Sequence, residues 1–300
     1  MEIKIVTAFF DIGRGNFSKL SRSDDKYFEY FKFWAGLKND LTVYCQSMNA
    51  DRILEIRKKL GLEKRTHIKV IDNFQEIEYD MYQKMCNIAK NPKFHNFRYY
   101  NNALSNRADY DYIMCMKWWC LQDAAKDQAP ETMMAWLDFG YNHGGERYCD
   151  SHDFEFEWDF DFSAKINMFC LSDPSKMLAI DSLQFQADCF IGHTAVMPAK
   201  LCKDYWGYIK ESMYSLISLD CIDDDQQLML MIYKRYPELF EIRLCDWFQD
   251  MEICSNQSFK IKNINTNKSI KQVIRGIICR IKERDTFINR TKSRKKFYIG

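Results

Sequence analysis

Apolar positions along the chain follow two periods, which together predict strands separated by helices. Short apolar or β-branched runs that end at turn residues are typical of buried strands. The predicted strands cover residues 3–10, 41–45, 67–71, 133–137, 166–171, 189–196 and 239–244. Because strands that alternate with helices pair in parallel through right-handed crossovers, this order predicts an α/β protein with a mainly parallel central sheet.

Apolar residues at helical spacing predict the helices between these strands. The first helix has Ser23 or Asp24 as its N-cap, and its aromatic side chains are expected to enter the core. Further helices are predicted over residues 50–60, 77–89, 99–107, 113–125, 198–217 and 228–236.

One segment, residues 153–162, alternates acidic and aromatic residues without a break. A period of two predicts a strand with the acids on one face and the rings on the other. Asp159 and Asp161 spell D-x-D, a pair of carboxylates that can hold a metal. A solvent-facing strand whose charges discourage edge pairing explains the same pattern.

The apolar run of residues 133–137 stops at one carboxylate, Asp138, which glycines and polar residues follow. In an open α/β sheet, ligands gather outside the carboxyl ends of the strands. Asp138 therefore lies where a metal-bound phosphate would lie. The alternative is an aspartate that only caps a turn.

Three adjacent acids, Asp223, Asp224 and Asp225, precede the last apolar helix. The helix dipole alone accounts for acids at a helix N-terminus. Clustered carboxylates also raise one another's pKa, as a catalytic base requires, so Asp224 and Asp225 are candidate bases. A glycine inside a predicted strand often marks the close approach of a ligand or backbone. His193, next to Gly192, is therefore a candidate catalytic residue.

Several further side chains are candidates for binding a nucleotide. Asp11 and Arg14 project from a glycine-containing loop after the first predicted strand, which could hold a base, a ribose or a phosphate. Arg107 and Lys117 are basic residues that could reach a phosphate. Solvated or ion-paired side chains are the alternative for these two.

Composition narrows the class of protein. The chain of 300 residues is 47% hydrophobic and contains 5 prolines, which is typical of a globular protein. A net charge of +1 gives no sign of nucleic-acid binding. The 12 cysteines are scattered without a CxxC pair, the start lacks the plan of a signal peptide, and no run of about 18 apolar residues exists. We therefore expect a cytoplasmic protein without a membrane-spanning segment.

The last part of the chain differs in charge. From Lys260 onward the only acids are Glu283 and Asp285, and isoleucines and a valine recur at helical spacing between residues 270 and 281. A basic amphipathic helix suits an anionic membrane surface such as the inner membrane. The alternative is an apolar stripe that packs on the protein's own core. The sequence thus predicts a main domain at 1–258 and a basic tail at 259–300.

Three stretches of the chain resemble the HtrL/YibB-like family, bacterial proteins tied to lipopolysaccharide, lipooligosaccharide and capsule synthesis. The stretches read IVTAFFDIGR at residues 5–14, YFEYFKFW at 27–34 and WLDFGYNH at 136–143. The resemblance implies a glycosyltransferase of the GT-A type, a three-layer α/β/α sandwich that binds a nucleoside diphosphate. Many GT-A enzymes hold Mn²⁺ or Mg²⁺ on the diphosphate with D-x-D, whereas only Asp138 is present here. Water, His143 or another acid would then complete the metal shell.

Together these features predict transfer from a nucleotide sugar, such as a UDP-sugar, to a glycan or lipid-linked glycan on the bacterial surface. Asp138 would hold the metal, and Thr7, Asp11 and Arg14 would hold the nucleotide. Asp224 or Asp225 would be the base if the reaction inverts the sugar. The alternatives are a metal-dependent hydrolase or nucleotidyltransferase, and a noncatalytic scaffold anchored by the basic tail.

Overall fold

The computed structural model describes residues 2–17, 21–91, 97–99, 104, 106–262 and 288–289. Its strands are β1 Ile3–Phe9, β2 Leu41–Cys45, β3 Thr66–Val70, β4 Met133–Leu137, β5 Ile166–Cys170, β6 Phe190–Pro198 and β7 Phe240–Leu244. They form one sheet in the order β3-β2-β1-β4-β6-β5-β7. Each of the seven strands predicted from apolar runs therefore exists, with ends within two residues of the prediction.

The direction of the strands confirms a mainly parallel sheet. β1, β2, β3 and β4 pair in parallel, as do β5 and β7. β6 runs antiparallel to both of its neighbours, with Ala195 opposite Trp136 of β4 and Met168 of β5. Among the described strands, β6 is thus the one antiparallel strand of this mainly parallel sheet, a position that its residues alone do not predict. All nine of its residues are buried, and a strand covered on both faces shows the same apolar run in either direction.

Helices cover both faces of the sheet. They are α1 Asp24–Trp34, α2 Ser47–Lys59, α3 Tyr79–Ala89, α4 Ala108–Ala125, α5 Ala179–Phe185, α6 Ala199–Ile217, α7 Asp225–Arg235 and α8 Asp250–Ile253. Side chains of α3 to α7 form one core with the sheet, and those of α1, α2 and α8 form another. Along β4, Trp136 enters the first core and Ala135 the second, as the alternation of a strand requires. The three-layer α/β/α sandwich is confirmed.

The start of α1 and the helix predicted over residues 99–107 show what local sequence can and cannot settle. Ser23 caps α1, since its hydroxyl accepts a hydrogen bond from the Lys26 N–H at 3.4 Å. The helix predicted over residues 99–107 is wrong at Tyr99, Leu104 and residues 106–107, which are not helical. Its other residues lie outside the described part of the chain.

The acidic and aromatic segment of residues 153–162 is not a strand, so that prediction is wrong. Its backbone bonds to a side chain: the Trp158 N–H donates to the Asn39 amide oxygen at 2.7 Å, and Asn39 Nδ2 donates to the Trp158 carbonyl at 2.8 Å. The alternation of burial still holds, because the rings enter the second core while most of the acids are exposed, including both of the D-x-D pair.

Of the basic tail, the structure describes residues 259–262 and 288–289. Phe259 packs on Tyr148 and Phe154, and Ile261 forms a β-bridge with Tyr148. The predicted amphipathic helix of residues 270–281 lies outside the described residues, and so does most of the chain after Lys262. Within the described part of the chain, every helix is too short or too polar to cross a membrane.

Candidate active site

A cleft of about 480 Å³ opens where β1 and β4 end, bounded also by β6, α4 and the start of α7. Seven acidic and three basic side chains line it, together with aromatic rings. The structure brings most of the predicted site residues to this cleft: Asp11, Arg14, Lys117, Asp138, His143, His193, Asp224 and Asp225. Thr7 and Arg107 are not among the residues that line it.

Asp138 follows β4 directly, and its backbone N–H donates to the His193 carbonyl at 2.9 Å. Its Oδ1 accepts a hydrogen bond from Trp136 Nε1 at 2.7 Å and lies 3.2 Å from Lys117 Nζ. The side chain is 33% exposed, and none of the described residues donates to Oδ2. Asp138 therefore presents one fixed and one open carboxylate oxygen to the cleft.

Lys117 is a buried residue of α4 that joins two carboxylates. Its Nζ lies 3.0 Å from Asp225 Oδ2 and 3.2 Å from Asp138 Oδ1, and it donates to the Gly192 carbonyl at 3.0 Å. Burial alone would lower the pKa of Lys117, but the two carboxylates raise it above its ordinary value. Its three N–H donors all have partners, so Lys117 positions the carboxylates and has none left for a ligand.

Asp225 is the first residue of α7, and its buried side chain lies against Gly192. A Cβ on Gly192 would come within 3.1 Å of Asp225 Oδ2, so the glycine in β6 permits this approach. Burial raises the pKa of Asp225 to about 7, with Asp224 and Asp138 adding to the effect and Lys117 opposing it. Asp224 is the N-cap of α7, and its Oδ1 accepts a hydrogen bond from the Gln226 N–H at 3.2 Å.

A second layer of charge lies behind these acids. Asp223 forms a wholly buried ion pair with Arg98 at 3.1 Å. Asp111 of α4 is also wholly buried, and neither of its oxygens has a hydrogen-bond partner among the described residues. Burial raises the pKa of Asp111 well above its ordinary value, and Asp223 and Asp224 add to this effect. Sequence reasoning missed this layer because its members are far apart in the chain.

His193 lines the cleft, but neighbouring groups hold both ring nitrogens. Nε2 accepts a hydrogen bond from the Phe248 N–H at 3.3 Å, and Nδ1 lies 2.9 Å from the Thr194 hydroxyl. The Phe248 ring stacks on the imidazole with centroids 4.7 Å apart. Burial lowers the pKa of His193 well below its ordinary value, and Lys117 adds to this. These contacts favour a neutral ring that supports the cleft wall.

The loop after β1 presents Arg14 between two aromatic rings. Asp11 Oδ1 accepts a hydrogen bond from the Gly13 N–H at 2.7 Å, and Gly13 has a φ of 69°, which favours glycine. Arg14 donates to the Tyr27 hydroxyl and lies 5.6 Å from the centroid of the Tyr110 ring. Thr7 is wholly buried within the sheet, so the structure does not bring it to the nucleotide site that we predicted.

His143 lies between a base and an acid. Its Nε2 is 3.1 Å from Arg22 Nη1, and its Nδ1 is 2.6 Å from Glu146 Oε2. Burial lowers the pKa of His143, and Arg22 lowers it further. Arg22 was missed from the sequence, where it is only a basic residue before α1.

Other cleft residues were missed as well. Tyr110 lies seven residues before Lys117, which places both on one face of α4, and this spacing could have identified it. Trp247 and Asp188 come from loops without a comparable sign. Arg107, by contrast, is exposed and lies 3.8 Å from the centroid of the Phe17 ring, outside the cleft lining.

The donor atoms fit a divalent cation only in part. Among the described residues there is no group of three or more His, Cys, Asp or Glu side chains that could hold a metal. Mg²⁺ commonly needs one or two carboxylates together with substrate phosphates, and the open Oδ2 of Asp138 suits that arrangement. His143 could join only if Arg22 moved away from Nε2. The site therefore fits a cation shared with a substrate phosphate, not a preformed metal cage.

Comparison with known proteins places the chain in a family. A family model described as "Bacterial protein of unknown function (HtrL_YibB)" matches residues 1–256. The chain belongs to the HtrL_YibB family. Protein HtrL of Escherichia coli (strain K12) is 29% identical over 258 residues, which cover 79% of this chain and 86% of that protein. All residues of the cleft lie within the HtrL_YibB match, and most of the basic tail lies beyond it.

A solved structure of mouse xyloside xylosyltransferase 1 in its apo form is also similar to this HtrL_YibB member. The TM-score is 0.45 and the identity 13%, covering 90% of this chain and 100% of that chain. A TM-score of this size does not establish a shared fold.

Proposed function

We propose that this chain is a glycosyltransferase that moves a sugar from a nucleoside diphosphate, such as UDP, to a hydroxyl group of a glycan. The observation that carries the proposal is the pair Asp138 and Asp225, joined by Lys117 in one cleft. Glycosyl transfer needs positive charge beside the leaving diphosphate and a base for the acceptor hydroxyl. An open carboxylate oxygen and a buried carboxylate with a raised pKa suit these two tasks.

The donor would bind across the end of the sheet. The rings of Tyr27 and Tyr110 line the cleft, and the Arg14 guanidinium lies over both. A nucleobase would contact these rings beside Arg14. Acidic side chains outnumber basic ones in the cleft, so a diphosphate needs more positive charge than the chain supplies. Mg²⁺ or Mn²⁺ bound at Asp138 Oδ2 would supply that charge.

Asp225 is the better placed of the two candidate bases. Asp224 is occupied in capping α7, whereas the pKa of Asp225 is raised to about 7, near the optimum for a base. In an inverting reaction Asp225 takes the proton of the acceptor hydroxyl while that oxygen bonds to the anomeric carbon. The bond from that carbon to the diphosphate breaks, and its electron pair leaves with the phosphate oxygen.

The acceptor class rests on the family resemblance. We propose a bacterial surface glycan, either the core of lipopolysaccharide or lipooligosaccharide, an O-antigen or a capsule. A peripheral position on the inner membrane, held by the basic tail, would bring the cleft to a lipid-linked acceptor.

A thermal-shift screen of nucleoside diphosphates, with and without Mn²⁺, tests donor binding. A diphosphate at a hundredfold excess over its dissociation constant should stabilise the fold by about 2.7 kcal/mol, and the melting temperature should rise by several degrees. The nucleotide sugars that contain the best diphosphate are then tested for release of sugar, with and without glycan acceptors.

Acceptor-dependent transfer supports the proposal. Release of sugar to water alone would indicate a hydrolase, and release of pyrophosphate from a nucleoside triphosphate would indicate a nucleotidyltransferase. A noncatalytic scaffold would show neither a thermal shift nor turnover.

A further inference from the structure

We propose that Arg22, oriented by His143 and Glu146, is a diphosphate-binding residue of the cleft. This assignment rests on the proposed function. In this assignment His143 is not a metal ligand. It is a positioning residue that acts through Arg22.

Arg22 and Arg14 are brought together by the loop before α1. The Arg22 N–H donates to the Arg14 carbonyl at 3.3 Å, so the loop folds back on itself. Both guanidinium groups lie against the Tyr27 hydroxyl. Two positive side chains thus converge on one neutral group at the edge of the cleft.

Hydrogen bonding fixes the direction in which the Arg22 guanidinium points. A guanidinium only donates, so the Arg22 Nη1 donates to His143 Nε2 at 3.1 Å. The imidazole is therefore neutral, with its proton on Nδ1, which donates to Glu146 Oε2 at 2.6 Å. The Tyr30 ring lies under the guanidinium, with its centroid 5.7 Å away. Carboxylate, imidazole and ring together hold Arg22 in one orientation.

The backbone at His143 is strained in a way that supports this role. Asn142 and His143 have φ values of 55° and 43°, a region that non-glycine residues adopt rarely. The side chain of Asn142 is wholly buried and maintains the turn, since its Oδ1 accepts from the N–H groups of Arg147 and Tyr148. Strain of this kind is characteristic of functional sites. Here its effect is to place the imidazole beside Arg22.

The surroundings of Arg22 suit an anion. No carboxylate among the described residues lies within ion-pair distance of its guanidinium. Lys117, a buried base of the same cleft, has used its three donors on Gly192, Asp138 and Asp225. A guanidinium carries five N–H groups in a planar fork that matches phosphate oxygens. A diphosphate in the cleft would therefore find donors at Arg22 that Lys117 cannot offer.

Binding of nucleoside diphosphates by calorimetry tests the assignment. The probes are UDP, GDP, ADP, CDP and dTDP, each compared with its own nucleoside, in the presence of Mn²⁺. Arg22→Met should weaken diphosphate binding by about 10-fold to 100-fold, the range for lost charge-assisted hydrogen bonds. Nucleoside binding should not change. Arg22→Lys should recover only part of the affinity, because it keeps the charge without the fork.

His143→Asn tests the positioning role, since asparagine tolerates the left-handed backbone at this position. It should weaken diphosphate binding less than Arg22→Met does, and it should have no further effect in the double variant. This lack of additivity is a result that a purely structural role would not produce. Arg235→Met, on the exposed end of α7, is the matched control and should bind normally.

Two results would overturn the assignment while leaving the proposed function intact. One is normal diphosphate binding by Arg22→Met. The other is a loss of Mn²⁺ affinity in His143→Asn that Arg22→Met does not share, which would make His143 a metal ligand. If the unchanged protein bound no diphosphate at all, the proposed function would fail and this assignment with it.

Discussion

The two oxygens of the Asp138 carboxylate have different surroundings, and a single substitution separates their roles. Asp138→Asn keeps the shape of the side chain but removes the charge that Oδ2 offers to a cation. We expect a folded protein in which Mn²⁺ no longer strengthens nucleoside diphosphate binding. Circular dichroism and calorimetry with and without Mn²⁺ measure the two effects.

A control for Asp138 comes from the D-x-D pair on the surface. Asp159→Asn and Asp161→Asn remove similar charges from exposed side chains, and both variants should respond to Mn²⁺ as the unchanged protein does. A normal Mn²⁺ response in Asp138→Asn would show that Asp138 is only a turn residue.

Asp225 predicts a pH dependence of turnover. A base must be deprotonated, and the pKa of this carboxyl group is raised to about 7. Turnover should therefore rise with pH through about 7, and Asp225→Asn should lower it by about 100-fold or more while donor binding is kept. Steady-state rates across pH measure this. In contrast, Asp224→Asn should mainly lower stability, because Asp224 caps α7.

The same carboxyl group affects the pH dependence of folding. The pKa of Asp225 is about 7 in the folded chain against an ordinary value of 3.8, so the folded state binds more protons between these values. The stability from this group is present at low pH and is lost as pH rises through 7. The free energy of unfolding of Asp225→Asn minus that of the unchanged protein should therefore increase between about pH 5 and about pH 8. A flat difference in urea titrations would show that the group is not perturbed.

At the scale of elements, the contact between β6 and the start of α7 depends on Gly192. A Cβ there would lie 3.1 Å from Asp225 Oδ2, so this carboxylate would have to shift by a few tenths of an ångström. Gly192→Ala should destabilise the protein by about 1–3 kcal/mol, as overpacking does, and should lower turnover by displacing Asp225. Denaturant unfolding and steady-state rates measure the two effects.

The matched control for Gly192 is a glycine in open space. A methyl group added to Gly207 of α6 would have nothing within 4 Å, so Gly207→Ala should stabilise the protein by about 0.5–1 kcal/mol. Equal effects of the two alanines would contradict the close contact between β6 and α7.

For the whole molecule, the basic tail is the feature that bears on where the protein acts. If residues 270–281 bind the inner leaflet, each basic residue near the surface adds about 1 kcal/mol to the affinity. The basic residues concerned are Lys271, Arg275, Arg280, Lys282 and Arg284. Truncation after Asn265 keeps the contacts of Phe259 and Ile261 with the main domain. We expect this shorter protein to fold and bind donor, but no longer to sediment with anionic vesicles.

Salt provides the control for the tail. Surface charge is screened within about 8 Å at physiological ionic strength, so high salt should release the full chain from vesicles. If the isoleucine stripe instead packs on the main domain, the truncated protein should melt at a lower temperature. The membrane role would be ruled out if the full chain did not bind vesicles and the truncated protein also melted at a lower temperature.

Much of this fold could be predicted because its elements are local. The seven strands follow from short apolar runs, and Ser23 marks the start of α1 by its hydroxyl alone. Asp138 comes directly after a buried apolar run, and this position is enough to predict that it lies at the carboxyl end of a strand in the sheet. In residues 153–162 the alternation of acidic and aromatic residues also predicts which side chains are buried, although no strand forms there.

Tertiary structure decided what depends on partners far apart in the chain. The direction of β6 could not be read from its residues, because both of its faces are buried. Lys117 lies 21 residues before Asp138 and 108 before Asp225, and only folding shows that it joins them. The side chain that orients Arg22 is His143, which lies 121 residues away in the chain. Sequence determines where a side chain stands on its own element, whereas the charge that faces it depends on how the elements pack.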